Sequence, residues 1–226
     1  MFGLDAWIAH LSDGTTFAVV IGVAIVLGLR HASDPDHLAA VTTLVASGRG
    51  HGARVAARLG ATWGFGHATS LFVFGLPIVL YRSYLPEAVQ SAAEVLIGFV
   101  IVALALRLLL RWRASSRGEG RHVHAARSPL QAYGIGLVHG IGGSAGVGVL
   151  LLASIPDHVE AVGALALFAS FTAISMSLAS SSFGWVLSRG AVQRSYLSVA
   201  PALGALSLAF GVWYALGAVQ AVPYVF

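Results

Sequence analysis

Between Arg30 and His37 the chain reads Arg-His-Ala-Ser-Asp-Pro-Asp-His, so two imidazoles and two carboxylates fall within seven residues. They interrupt an apolar run from about Thr15 to Ala46. Ionisable groups in such a run are costly to bury and usually face an interior cavity, so the cluster reads as a functional site. Imidazole nitrogen with carboxylate oxygen suits nickel, cobalt, copper or zinc, whereas magnesium or calcium would favour oxygen alone. The chain has no cysteine and only two methionines. A thiolate site and a disulfide are therefore excluded, and no methionine cluster argues for copper(I).

Asp34-Pro35 reads as a helix start. Aspartate favours the N-cap, and proline at the first helical position forfeits no hydrogen bond that the helix would have made. Proline also disfavours helical geometry at the residue before it, so the incoming helix should end by about Ser33. Irregular backbone at membrane depth is tolerated where protein or a water-filled cavity satisfies its polar groups, and the freed carbonyls can face a cation. Asp34 and Asp36 offset the positive end of the new helix, which gives each carboxylate a structural reason beside a ligand role. The bland alternative is that Asp34 caps, Arg30 pairs with an aspartate and the histidines satisfy buried carbonyls. Four adjacent ionisable groups exceed what a cap requires, so His31, Asp36, His37 and Asp34 are taken as metal-site candidates.

Two further histidines lie in apolar segments. His67 sits in Trp63-Gly64-Phe65-Gly66-His67-Ala68-Thr69-Ser70, where the glycines permit close helix approach; it either lines the same site or makes an interhelical hydrogen bond. His139 opens His139-Gly140-Ile141-Gly142-Gly143-Ser144-Ala145-Gly146, a second segment poor in helix formers and a second place for a broken helix. It is a ligand or gate candidate against the same packing alternative. Glu94 reads as an outer-interface residue ahead of a proton relay. Thr172, Ser175, Met176, Ser177 and Ser180-Ser181-Ser182 read as helix-packing positions. His122 and His124 read as solvated loop residues, and His10 and Asp157-His158 as surface groups.

These residues must be positioned by membrane helices. The 226 residues are 57% hydrophobic and 10% charged, with a mean hydropathy of +0.82, far from the roughly one-quarter charge of soluble domains. Apolar runs of about 20 residues suffice to cross a bilayer, and no alternating barrel pattern appears. The expected fold is all-α and polytopic, with six spans at about 15–46, 59–81, 87–110, 130–153, 160–188 and 196–221. The first would extend about 48 Å as one helix, which is too long for a straight crossing and requires a break or strong tilt.

Every basic residue is arginine, and the arginines gather in loops 1, 3 and 5 rather than in a nucleic-acid patch. That bias places those loops in the cytoplasm and both termini outside. The first 14 residues carry Asp5 and Asp13 and no basic residue, unlike a cleavable signal peptide. The whole chain, 1–226, reads as one transport domain: half-repeats at about 15–111 and 130–221, joined by a polar Arg/His-rich linker at 112–129. Three spans per half make the halves enter the membrane in opposite directions, as in inverted-repeat transporters. Gly28-Leu29-Arg30-His31 and Gly136-Leu137-Val138-His139 echo each other at corresponding places.

The stretch from Gly28 to Ala40 resembles the nickel/cobalt transporter family, whose hallmark His-x4-Asp-His is matched by His31, Asp36 and His37. Gly66-His67-Ala68-Thr69 resembles that family's second histidine motif. The second half instead looks like the short branch of urease-accessory membrane proteins. The resemblance implies transport of nickel or cobalt, with His31, Asp36, His37 and His67 in or near the permeation site. It implies no cofactor and no enzymatic role, the metal being cargo. Secondary uptake across a bacterial-type cytoplasmic membrane is the expected function. Metal export and an intramembrane zinc hydrolase built on the same ligands are the alternatives, although His-Glu-x-x-His is absent. No phosphate-binding loop is present. The expected partners are the metal ion and the lipid bilayer, without nucleic acid; a second copy of the chain or a metalloenzyme maturation partner are further candidates.

Overall fold

The computed structural model describes residues 4–46, 53–82, 86–117, 128–142, 145–189 and 196–223. Among them the chain is helical throughout, with no strand: α1 Leu4–His31, α2 Pro35–Ala46, α3 Ala53–Tyr81, α4 Glu87–Ser116, α5 Pro129–His139, α6 Ala145–Ala153, α7 His158–Ser188 and α8 Tyr196–Ala218. Four of them, α3, α4, α7 and α8, are long and apolar enough to cross a membrane alone, and α1 with α2 forms a fifth candidate span bent by 48°. The fourth expected span is divided. At 11 and 9 residues, α5 and α6 are each too short to cross alone. The described helices also outrun their expected ends, α3 starting at Ala53 and α4 continuing to Ser116. His122 and His124 lie outside the described residues.

Both breaks follow from local chemistry. After α1 the Ser33 N–H donates to the Arg30 carbonyl at 2.8 Å and the Asp34 N–H to that of His31 at 3.2 Å. Pro35 then opens α2, where it has no N–H to waste. Ser128 caps α5, its hydroxyl accepting from the Gln131 N–H at 3.2 Å, with Pro129 as the first helical residue. Gly140 ends α5 after His139. The two Gly-Leu-x-His phrases thus each close a helix, at His31 and at His139.

Small residues set the packing. Gly64 of α3 lies against Ala173 of α7, where a Cβ would come within 2.9 Å of the Ala173 carbonyl oxygen. Gly60 at Ser180 and Gly75 at Leu165 continue this antiparallel contact. On α5, a Cβ at Gly136 would overlap the Trp63 carbonyl of α3. Gly140 meets His67 and Ser70, so α5 runs in the same direction as α3. On α1, Gly28 meets Phe168, Phe171 and Thr172 of α7. The Ser175 hydroxyl donates to the Gly28 carbonyl at 2.9 Å. Beside this group, α4 and α8 pack antiparallel through Gly98 at Ala215 and Gly211 at Ile101. The bent α2 lies along them, Ala39 beside Ile97 and Ile101, and Ala46 beside Leu108 and Ala200.

Hydroxyls within these helices bond to carbonyls of their own turn, as Thr43 does to Ala39 at 2.8 Å and Thr172 to Phe168 at 2.8 Å. Such pairing keeps polar side chains satisfied without water. Phe65, Phe99, Leu110 and Leu206 are exposed. An outward apolar surface on that scale belongs against lipid.

Candidate metal centre

The break between α1 and α2 lies against the contact between α3 and α5, and four imidazoles meet there. His31 closes α1, His37 lies in the first turn of α2, His67 is mid-α3 and His139 closes α5. Glycines place the two helix ends: Gly28 draws the end of α1 onto α7, and Gly136 draws the end of α5 onto α3 within a turn of His67. None of His31, Asp34, Asp36, His37, His67 and His139 is more than 8% exposed, so protein rather than bulk water must satisfy them.

His37 is the hub. Its ring centroid lies 4.4 Å from that of His31, 5.0 Å from His67 and 4.6 Å from His139, whereas His67 and His139 are 6.2 Å apart. The carboxylates orient the rings. His31 Nδ1–H donates to Asp34 Oδ2 at 3.1 Å, and His37 Nδ1–H to Asp36 Oδ1 at 3.1 Å. His139 Nε2–H donates to the other oxygen of Asp36 at 3.3 Å, a contact across 103 positions of sequence. With Nδ1 of His31 committed, His67 Nε2–H donates to His31 Nε2 at 3.0 Å.

This assignment leaves lone pairs on His37 Nε2, His67 Nδ1 and His139 Nδ1. These three buried nitrogens have no hydrogen-bond partner among the described residues. Buried polar atoms are rarely left so, and a late first-row cation is a partner that an imidazole lone pair fits. Carboxylates that fix the tautomer of a ligating histidine are the usual second layer of such sites. Two groups of three have ligand atoms mutually within 4.8 Å: His31, His37 and His67, and Asp36, His37 and His139.

Five of the six residues expected from sequence therefore meet in these groups. Asp34 belongs to neither; it holds His31 and lies 3.7 Å from the exposed Arg30 guanidinium. Glu94 is half-buried in α4, and Gly142, within the second break, lies against the Ala93 side chain and the Glu94 backbone nitrogen. Asp157 does more than occupy the surface, since its Oδ1 caps α7 by accepting from the N–H groups of Val159 and Glu160 at 2.8 and 2.9 Å. The composition of the site wall was not legible in sequence. Trp63 covers His37 and His139, at 5.7 and 5.8 Å between ring centroids, and Phe168 covers His31 at 5.7 Å. An aromatic residue in an apolar helix carries no signal that separates such a lining role from ordinary packing.

The chain is 25% identical over 216 residues to the urease accessory protein UreH of Bacillus sp. (strain TB-90), covering 89% of this chain and 92% of that protein. It is 32% identical over 112 residues to the high-affinity nickel transport protein of Cupriavidus necator, covering 48% of this chain and 31% of that one. No solved structure matches the chain. The model of the NicO family, described as high-affinity nickel-transport protein, matches residues 17–117. The segment that carries His31, Asp36, His37 and His67 is thus similar to the NicO family, described as high-affinity nickel-transport protein.

Proposed function

We propose that the chain is a secondary transporter that moves Ni²⁺ or Co²⁺ into the cell through the buried histidine cluster. The observation that carries this reading is the convergence of four imidazoles on two helix breaks, with three nitrogen lone pairs unpartnered and none of the rings exposed. Nitrogen-rich ligation with one carboxylate favours late first-row ions over magnesium or calcium. The NicO match and the name of the Cupriavidus necator relative favour nickel among them.

The two halves, about 15–111 and 130–221, form an inverted pair in this reading. Its support is reciprocal packing: α1, the first helix of one half, lies on α7, while α5, the first helix of the other, lies on α3. Gly28 faces the Phe168 carbonyl as Gly136 faces that of Trp63. The hydroxyls of Ser175 and Ser70 donate in the same way, to the carbonyls of Thr172 and His67. Rocking of such halves about a central site gives alternating access.

The arginine-rich loops lie in the cytoplasm and both termini outside, in a bacterial-type inner membrane. Membrane potential then drives a divalent ion inward by about 4.6 kcal/mol per 100 mV, so no coupling ion is obligatory. The name of the Bacillus relative supports a role in supplying metal to metalloenzyme maturation.

Purified chain in sealed liposomes tests the proposal, with radiolabelled nickel followed in both directions and cobalt as competitor. Potential-driven inward flux that is lost in His31→Ala and His37→Ala proteins of normal yield is the expected result. Undiminished flux in both variants would remove the cluster from the mechanism.

A further inference from the structure

The cluster is larger than one ion needs, and its parts are not equivalent. Four histidines and Asp36 divide into two groups of three that have His37 in common. We propose that the transporter holds its ion at two overlapping positions in turn, first on His31, His37 and His67 and then on Asp36, His37 and His139, with His37 passing it between them. The inference rests on the transport reading and adds to it a defined route through the site.

Three observations carry it. His37 Nδ1 is committed to Asp36, so only the Nε2 lone pair is available to metal, and one lone pair serves one ion at a time. The positions are therefore exclusive. The residues that carry the unpartnered nitrogens divide in the same way: His67 is in the first group, His139 in the second and His37 in both. With rings at 5.0 and 4.6 Å from His67 and His139, His37 reaches either side by a small ring movement.

The third observation is where the end ligands come from. His31 is the last residue of α1 and His139 the last of α5. α5 runs in the same direction as α3, through the contacts of Gly136 and Gly140. α2 continues α1 with a 48° bend and runs with α4, which follows α3 in the opposite sense. The two arriving helices thus enter from opposite faces of the membrane, and each ends on one of the two ligand groups. An ion that exchanges His31 and His67 for Asp36 and His139 has moved from the histidine presented by one face to that presented by the other. The exchange also replaces a nitrogen by an oxygen donor in the group of three, which loosens the site before release.

Calorimetric nickel titration, X-ray absorption of the bound nickel and liposome flux on the same full-length preparations test this. Wild-type protein should bind one nickel per chain. His139→Ala should keep a nitrogen-only protein ligand set, and His31→Ala should gain the carboxylate oxygen. Both should still bind nickel while losing about 10-fold or more in flux, and His37→Ala should lose both binding modes. Two ions bound per wild-type chain would overturn the proposal, and that measurement needs no variant. Unchanged flux in His139→Ala, or in His139→Gln should the alanine protein fail to fold, would overturn it as well. Wild-type protein that shows both ligand sets but no flux would overturn the transport reading and leave the two positions standing.

Discussion

The Nε2 atoms of His31 and His67 lie 3.0 Å apart, on helices α1 and α3, from residues 36 positions apart in sequence. Two nitrogens bound side by side to one octahedral ion, each at about 2.1 Å, would be about 3 Å apart. The pair holds that spacing through a hydrogen bond, so His31 can ligate only when its Nε2 lone pair turns from the His67 N–H to metal, while His67 offers its Nδ1. Asp34 holds His31 in place from the far side of the ring.

Removal of that support should weaken binding without emptying the site. Asp34→Asn is expected to lower nickel affinity by about 10-fold to 100-fold, the usual effect of changing the partner of a ligating histidine. His31→Ala should cost more in flux than Asp34→Asn does. Liposome flux of the two purified variants checks the order and calorimetric titration the affinity, and an Asp34→Asn protein that binds no nickel at all would make Asp34 a ligand.

Protons and metal compete for the same imidazole lone pairs. Apparent nickel affinity should therefore rise with pH over the range in which the rings lose their protons, and binding there should release protons into the medium. The sign follows from the chemistry, because the neutral ring is the ligand and the protonated ring is not. Titration in buffers of different ionisation enthalpy counts the released protons; affinity that falls over this range would contradict histidine ligation.

The contact between α3 and α5 should be intolerant of a single methyl group at one glycine and indifferent to it two residues away. A Cβ at Gly136 meets the Trp63 carbonyl, whereas one at Gly134 meets nothing within 4 Å. Gly136→Ala is expected to destabilise the protein by about 1–3 kcal/mol through overpacking. Gly134→Ala should be neutral or stabilising by up to about 1 kcal/mol, since alanine is the better helix former. Thermal unfolding in detergent, compared between the two variants, measures the difference.

Helix α7 owes its start to one side chain. Asp157→Ala deprives the Val159 and Glu160 N–H groups of their acceptor and should cost about 1 kcal/mol. Asp157→Asn should retain most of the cap. Nickel binding should be unaffected in both, as the cap lies apart from the histidine cluster; the same unfolding and titration assays report the two quantities separately.

Neighbouring residues alone set where the backbone must break and which segments are apolar. Pro35 cannot continue a helix through an N–H it lacks, and Gly140 stops α5 after His139, so both discontinuities are local events written in adjacent residues. Helix starts were legible for the same reason at Asp34-Pro35, and Gly64 and Gly66 announced close approaches that the packing shows. Even the echo of Gly-Leu-x-His has a local meaning, each copy closing a helix. The division of the fourth apolar run into two short helices was foreshadowed by its glycines, although hydropathy alone reads it as one span.

Which of these pieces meet follows from helix packing. Asp36 and His139 are 103 positions apart and are joined because Gly136 and Gly140 let α5 settle on α3 beside the first break. That juxtaposition depends on surface shape along whole helices, which no single motif records. It also decided which ring nitrogens are free, since a histidine's tautomer follows from the partner of its other nitrogen. His37 became the hub and Asp34 a support through such partners, and Trp63 and Phe168 became walls of the site through the same packing.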